Sequence, residues 1–452
     1  MKKWMAWAMA GAMTLSMAGC GGSTASSTAA SSAASDSAAS TADSTASSAA
    51  AAGEKVTIKV FSNLPDRTTG QGLVEQTIFD QYMSENPNIT IETEELDDEA
   101  YKTKFKAYAA GSQMPDLVSV WGQPGFIDEV IDAGLLAELN QSDYADYGFV
   151  NGSTEGFSAG GKLYGLPRNT DIAVFYYNDK IFTDNGWTVP TTYEELLALA
   201  GPCKDAGIAC VAMDGADKWP LAIYLTDLME KIDGSGVMVK NHNAITGKDF
   251  SDPTYTKAAE LLQQSAAAGL FQPGYETADY GTAQNLFTNG QAAMFYMGSW
   301  EMSMAANTEI PEEVRNNIKV FTMPTVADGK GTATTISAWN GGGYAVTANG
   351  AQKEEAVKLL NYMFKPENWT RIAWENGVCM SAQDFSAFAT GKETVPQKEL
   401  MELFAKATDL SGTPLNDMGT SQFKTVCEDT VQELAIGKLD AAAFCAKLAS
   451  VG

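Results

Sequence analysis

The sequence predicts an α/β fold, and the opening stretch of the body carries the prediction: apolar strands of alternating pattern, helical stretches between them, and connections too long for hairpins. Val56, Ile58 and Val60 alternate with polar residues, the period of a half-buried strand, and run into the polar loop Phe61 to Arg67. A helical stretch from about Leu73 to Ser84 follows, and Pro87 closes the turn before Ile89-Thr90-Ile91. A second helical stretch, about Glu99 to Ala110, stops at Gly111, and Leu117 to Val120 is another short apolar strand. Strand, helix, strand, helix, strand at this spacing gives a parallel sheet covered by helices. Ligands bind such sheets beyond the carboxyl ends of the strands, where Asn63 to Arg67 and Trp121 to Gln123 fall.

Later segments continue the pattern. Ile172 to Tyr177 is an apolar strand after Gly165-Leu166-Pro167, and Thr192 with Glu195 forms a capping box opening a helix to about Lys204. Asp252 and Pro253 supply an N-cap and a first-turn proline for a helix that Gly269 ends. Ala292 to Met297 and Ile318 to Thr322 read as strands, and Gly341-Gly342-Gly343 approaches another. Helices are expected from about Lys353 to Phe364 and again from Pro366, and no internal repeat is visible.

The 452 residues suffice for two or three domains with a sizeable core. A net charge of −26 opposes nucleic acid or an anionic membrane surface as the main partner. His242, the single histidine, lies in a stretch that reads as a surface loop, which disfavours histidine-rich metal sites and most imidazole catalysis. No C-x-x-C or EF-hand pattern occurs, and neither a metal nor a cofactor is expected. Cys203 and Cys210 flank a helix end and Cys427 and Cys445 form a second candidate pair; disulfides and buried free thiols both fit the spacing.

At the N-terminus, Lys2 and Lys3 precede an apolar run from Trp4 to Ala18 that ends in Met17-Ala18-Gly19-Cys20, too short and too rich in Ala and Gly for a membrane span. It resembles a bacterial lipoprotein signal, which implies a signal peptide over 1–19 and lipidation of Cys20. Met17 stands where that pattern prefers Leu, and an ordinary secretion signal is the alternative. Of the 34 residues from Cys20 to Gly53, 28 are Ser, Thr or Ala, so 20–53 reads as a disordered tether spanning roughly 30 Å.

One set of motifs then appears in register. Gly111-Ser112-Gln113-Met114-Pro115-Asp116-Leu117 is followed by Gly134-Leu135-Leu136, Tyr164 to Pro167, Tyr177-Asn178 and Pro190 to Leu196. Phe287 to Met294 with Gly298-Ser299-Trp300, and Gly342 to Val346, complete it. This order resembles the extracellular solute-binding proteins of carbohydrate ABC importers (family 1, the group that includes maltose-binding protein), over about residues 56 to 380. The resemblance implies a two-lobed periplasmic-binding-protein fold of type II, with a ligand cleft at the hinge. It places one lobe at 54–170 and 342–388 and the other at 171–341 and 389–452. The family often has Gly-x-x-Pro near Gly377, whereas this chain reads Gly377-Val378-Cys379-Met380.

Sugars present hydroxyl rims and apolar C–H faces, so a sugar cleft needs aromatic platforms and fixed polar groups. Trp300, in the family's Gly-x-Trp position, is the first expected platform; Trp121, Trp219 and Trp339 follow, with core packing as the other role a Trp fills. Asp66, Arg67 and Asp171 stand where the family places polar contacts, and Asn63, Gln123, Asn169, Glu301 and Asn340 are candidate hydroxyl partners. Arg168 is read as a contact to ligand or to a carboxylate between lobes. The resemblance implies a monomer that closes on a sugar or oligosaccharide at the extracellular face of the bacterial cytoplasmic membrane, tethered by Cys20, and delivers it to permease subunits. No Walker A motif occurs, so the ATPase is expected on a separate chain.

Gly156-Phe157-Ser158-Ala159-Gly160 fits the nucleophile-elbow pattern G-x-S-x-G, but turn-rich sequence precedes it where a strand is required. A secreted glycan hydrolase working through two carboxylates, a binding protein for a non-sugar solute and a lipid-anchored adhesin are the competing readings. The expectation is a protein without enzymatic activity.

Overall fold

The computed structural model describes residues 54–452 except 112, 337, 408 and 411; the expected signal peptide, Cys20 and tether lie outside the described residues. Two sheets, each flanked by helices, form two lobes. In the first sheet the strands run in the order Ile89–Glu95, Val56–Ser62, Leu117–Trp121, Gly342–Val346, Leu166–Pro167. The first three are parallel, as the strand–helix alternation predicts, and Gly342–Val346, which returns from the other lobe, pairs antiparallel with both Leu117–Trp121 and Leu166–Pro167. The second sheet runs Ile318–Phe321, Asp171–Asn178, Ala292–Gly298, Ala209–Ala212, with only its last pair parallel. Parallel order therefore holds for the opening stretch and not for the whole chain.

Each sheet has its own apolar core. One gathers buried side chains from Ile58 to Leu166 and from Tyr344 to Cys379; the other gathers Ile172 to Trp339, then Trp374, Met380 and Leu400 to Leu448. The chain therefore crosses between cores near 167–171 and 340–343, and a third time over 380–388, where Met380 joins the second core while Gln383 still bonds Tyr147 and Phe364 of the first lobe. The first two crossings run side by side: Pro167 pairs with Gly343 in one sheet and Asp171 with Trp339 in the other. The Arg168 N–H donates to the Gly342 carbonyl at 2.9 Å, and the Thr170 N–H donates to the Met380 carbonyl of the third crossing at 2.9 Å.

Local signals set most helix ends. The Thr192–Glu195 capping box is formed, and Asp252 caps Pro253–Ala267 through the Thr254 N–H. Four expectations change. The helix read to Lys204 is two pieces, Tyr193–Ala198 and Ala200–Asp205, with Pro202 lacking the donor a continuous helix needs. The helix read from Pro366 begins at Trp369, after a turn closed by Asn368 N–H to Lys365 O. His242 is exposed on the helix Val237–Gly247 rather than in a loop. Cys203, Cys210, Cys379, Cys427 and Cys445 are all free thiols, so neither candidate pair is bridged.

The G-x-S-x-G match has a structural explanation. Phe157 is fully buried, and a Cβ on Gly122 or Gly343 would overlap its ring, so the chain passes directly over the aromatic face. A Cβ on Gly156 would strike the Gly122 carbonyl, and the Ser158 hydroxyl is spent on the Thr154 carbonyl at 2.9 Å. Phe157 thus wedges the ends of the strands that carry Trp121 and the glycine run. Replacing it by Ala should cost about 3–5 kcal/mol of stability; urea denaturation followed by circular dichroism measures this, and a loss under about 1 kcal/mol would refute the wedge.

Candidate functional site

A cavity of about 940 Å³ lies between the two cores, over the crossings. From the first lobe it is lined by the ends of three strands and the loops that follow: Asn63 to Asp66, Asp97 to Lys102, Trp121 and Gln123. This is the carboxyl edge of the parallel strands, where helix N-termini leave backbone donors and side chains facing outward. From the second lobe come Asp217 and Trp219 after Ala209–Ala212, Trp300 and Glu301 after Ala292–Gly298, and Tyr280 and Gln284 from the helix Tyr280–Thr288. Arg168, Asn169, Asp171, Trp339, Gly341 and Gly342 form the floor.

Ten of the twelve residues expected from sequence line this cavity: Asn63, Asp66, Trp121, Gln123, Asn169, Asp171, Trp219, Trp300, Glu301 and Trp339. Arg67 does not. Its guanidinium turns to the fully buried Glu75, which also accepts from Ser62 at 2.9 Å and Tyr344 at 2.7 Å, a burial that a lone carboxylate could not sustain. Asn340 does not either, since its carbonyl accepts the Thr170 hydroxyl at 2.7 Å across the paired crossings.

Three tryptophans of the second lobe form one aromatic wall. Trp300 lies 6.0 Å from Trp219 and 6.1 Å from Trp339, centroid to centroid, at 53° and 71°. Its pose is fixed from two sides. A Cβ on Gly298 would overlap the indole, which accounts for the glycine of Gly-x-Trp, and the indole N–H donates to the Tyr280 hydroxyl at 2.9 Å. That hydroxyl donates to Glu301, whose other oxygen accepts from Gln284 at 2.6 Å. Burial pushes the Glu301 carboxyl up, and both its oxygens serve to hold Tyr280 and Gln284. Tyr280 and Gln284 were not found in the sequence, where nothing marks a tyrosine at a helix start. Trp121 faces this wall from the first lobe, edge-on to Phe126 at 5.0 Å, with the Lys102 ammonium over its ring at 5.4 Å.

The floor is polar and incompletely satisfied. Arg168 donates to the Asn63 side-chain carbonyl at 3.0 Å and lies over the Tyr344 ring, against Gly342, where any Cβ would crowd it. Arg168 Nε, Asn169 Oδ1 and Trp219 Nε1 have no hydrogen-bond partner among the described residues, although all three residues are at least nine-tenths buried. Two donors and one acceptor facing a cavity of this size suit a ligand rich in hydroxyls. Burial pushes Asp171 up to about 7, against the hydrogen bond from Asn169 and the nearby Arg168. Away from the floor the lobes also touch directly: the Ser421 hydroxyl donates to Glu129 at 2.5 Å, and Gly125 packs on Gly419.

The comparisons place the chain among known proteins. Residues 65–368 match the family described as bacterial extracellular solute-binding protein. The multiple sugar-binding protein of Streptococcus mutans is 23% identical over 319 residues, 69% of this chain and 71% of that one. A structure from work on xylan utilization by Caldanaerobius polysaccharolyticus superposes with a TM-score of 0.80 at 24% identity, covering 87% of this chain and 99% of that one. A chitin oligosaccharide binding protein gives 0.77 at 22% identity, with 88% and 98% covered.

Asp171 makes stability depend on pH with a definite sign. Its folded value, about 7, lies above the ordinary 3.8, so the folded state binds more protons between those values and this contribution weakens as pH rises. Relative to Asp171→Asn, the native chain should lose stability on going from mildly acidic to mildly alkaline buffer. Urea denaturation of both proteins across that range measures it, and a constant difference would contradict the assignment.

Proposed function

Because the chain belongs to the bacterial extracellular solute-binding protein family, we propose that it captures a sugar or oligosaccharide outside the cell and delivers it to the membrane permease of an ABC importer. The observation that carries the carbohydrate reading is the wall of Trp219, Trp300 and Trp339 above a floor of unsatisfied polar atoms, in one cavity between two cores. Flat rings take the C–H faces of a pyranose, while Asn63, Gln123, Asn169 and Asp171 bridge its hydroxyls. Lobes bounded at 54–170 with 342–388 and 171–341 with 389–452 swing about the three crossings. A ligand touching both lobes stabilises the closed arrangement more than the open one, and the permease reads closure as loading.

The chain works as a monomer on the outer face of the cytoplasmic membrane, held by lipid on Cys20 and a tether over 20–53, with the ATPase on another chain. No helix among the described residues is long and apolar enough to cross a membrane. Catalysis has no part in this reading: Ser158 is bonded to backbone, and the only histidine is exposed on a helix of the other lobe.

A thermal-shift screen against neutral mono- and oligosaccharides tests the proposal. A ligand at 100 times its dissociation constant should add about 2.7 kcal/mol of stability and be recovered chemically unchanged. Trp300→Ala should weaken that ligand by about 2 kcal/mol, roughly thirtyfold, in calorimetric titration. A broad panel without any shift, or full affinity in Trp300→Ala, would count against the site.

A further inference from the structure

The charges in the cavity are unevenly distributed. Its lysines are already paired: Lys102 with Glu99 at 2.6 Å, and Lys424 with Asp417 at 2.6 Å and Glu428 at 2.5 Å. Arg168 sits at the floor against Asn63 and Tyr344. Around Tyr280 the balance is different. Asp217 accepts the Tyr280 N–H at 3.2 Å, Glu301 accepts its hydroxyl, and Asp279 caps the helix that Tyr280 opens. None of these three carboxylates forms a salt bridge among the described residues.

One further observation marks this end of the cavity as a place for a ligand. Trp219 is nine-tenths buried, lines the cavity, and has an indole N–H without a partner among the described residues. Across the cleft, Asp98 of the first lobe takes the Asn63 amide at 2.7 Å, has no salt bridge among the described residues, and is near enough to raise the Tyr280 phenol after burial and Glu301 have done so.

Carboxylates outnumber cations on the facing walls, with Lys102 offsetting Asp98 only in part, and beside the Trp219 and Tyr280 rings 6.1 Å apart they form the surroundings an ammonium group takes. Its N–H groups make charge-assisted hydrogen bonds to carboxylates, and its charge is drawn to the ring faces. A uronate or sugar phosphate would meet like charge on both sides. A cation would relieve the repulsion between Asp98 and the opposite wall, and so favour approach of the lobes.

We infer that the cleft selects a carbohydrate carrying a protonated amine, an amino sugar, with the amine seated among Asp98, Asp217 and Asp279 against the tryptophan wall. This rests on the carbohydrate reading above and adds the charge class of the ligand to it.

Calorimetric titration of the full chain with four probes of equal length tests it: a glucosamine tetramer, its fully N-acetylated form, cellotetraose and tetragalacturonate, in buffer that keeps the free amines protonated. The glucosamine tetramer should bind at least about tenfold tighter than the N-acetylated form or cellotetraose, with no measurable binding of the galacturonate. Added salt should narrow the advantage. Asp98→Asn and Asp279→Asn, the latter keeping a competent helix cap, should each reduce the ratio of amine to neutral affinity several-fold without changing the unliganded melting temperature. If a neutral tetramer binds as tightly as the amine, or neither substitution moves the ratio, the inference is overturned while the carbohydrate reading stands. If none of the four probes binds, this inference is overturned, and the carbohydrate reading is decided by the broad panel above.

Discussion

A backbone segment that leaves one sheet and enters another must find partners for its N–H and C=O groups on the way, and in this protein two such segments solve the problem together. Residues 166–172 and 338–344 pair with each other at both ends, in the first sheet through Pro167 and Gly343 and in the second through Asp171 and Trp339. Between these pairs the strands lean on Met380 of the third crossing. Satisfied backbone is what allows this region to lie under a cavity without collapsing. Everything at the floor follows from it, because side chains along the paired strands must point either into a core or into the space between cores.

The glycine run shows how tight that arrangement is. A Cβ on Gly341 would crowd the Trp339 indole and the Asp171 carboxylate, one on Gly342 the Arg168 guanidinium, and one on Gly343 the Leu166 carbonyl and the Phe157 ring. Three successive residues are thus deprived of side chains so that an indole, a guanidinium and a phenyl ring can lie flat on backbone. Burying Arg168 and Asp171 side by side is sustained by neighbours that neutralise or hydrogen-bond them, and the polar atoms left over face the cavity.

Much of this was legible before any coordinates. Alternation marks Val56–Ser62 because that strand is partly exposed and an apolar run marks Leu117–Trp121 because it is buried, while the family's Gly-x-Trp and the glycine run fall at the cavity where an aromatic ring or a guanidinium lies close against backbone. Other features left no such trace. Arg67 sits in the expected loop, yet a buried Glu75 thirteen residues beyond Ser62 captures it, and that pairing is a property of the third dimension. Glu301 has the composition of a hydroxyl partner, but Tyr280 and Gln284 already engage both its oxygens. The direction of the returning strands was equally hidden, since a strand of five apolar residues such as Gly342–Val346 reads the same whichever way it pairs.

The contact between Glu129 and Ser421 has a consequence for exchange with the medium. Two lobes that met through a broad apolar seam would stay shut on their own, and the interior would equilibrate slowly with the surroundings. Here the side of the rim by Glu129 is fastened by an exposed hydroxyl–carboxylate pair and the meeting of Gly125 with Gly419, both of which water can replace at little cost, and elsewhere the small residues Gly70 and Ser303 meet. Such a clasp sets registration rather than strength. Residence time is therefore governed by the guest itself, and the same molecule can release a weakly held passenger quickly and retain a well-matched one for longer.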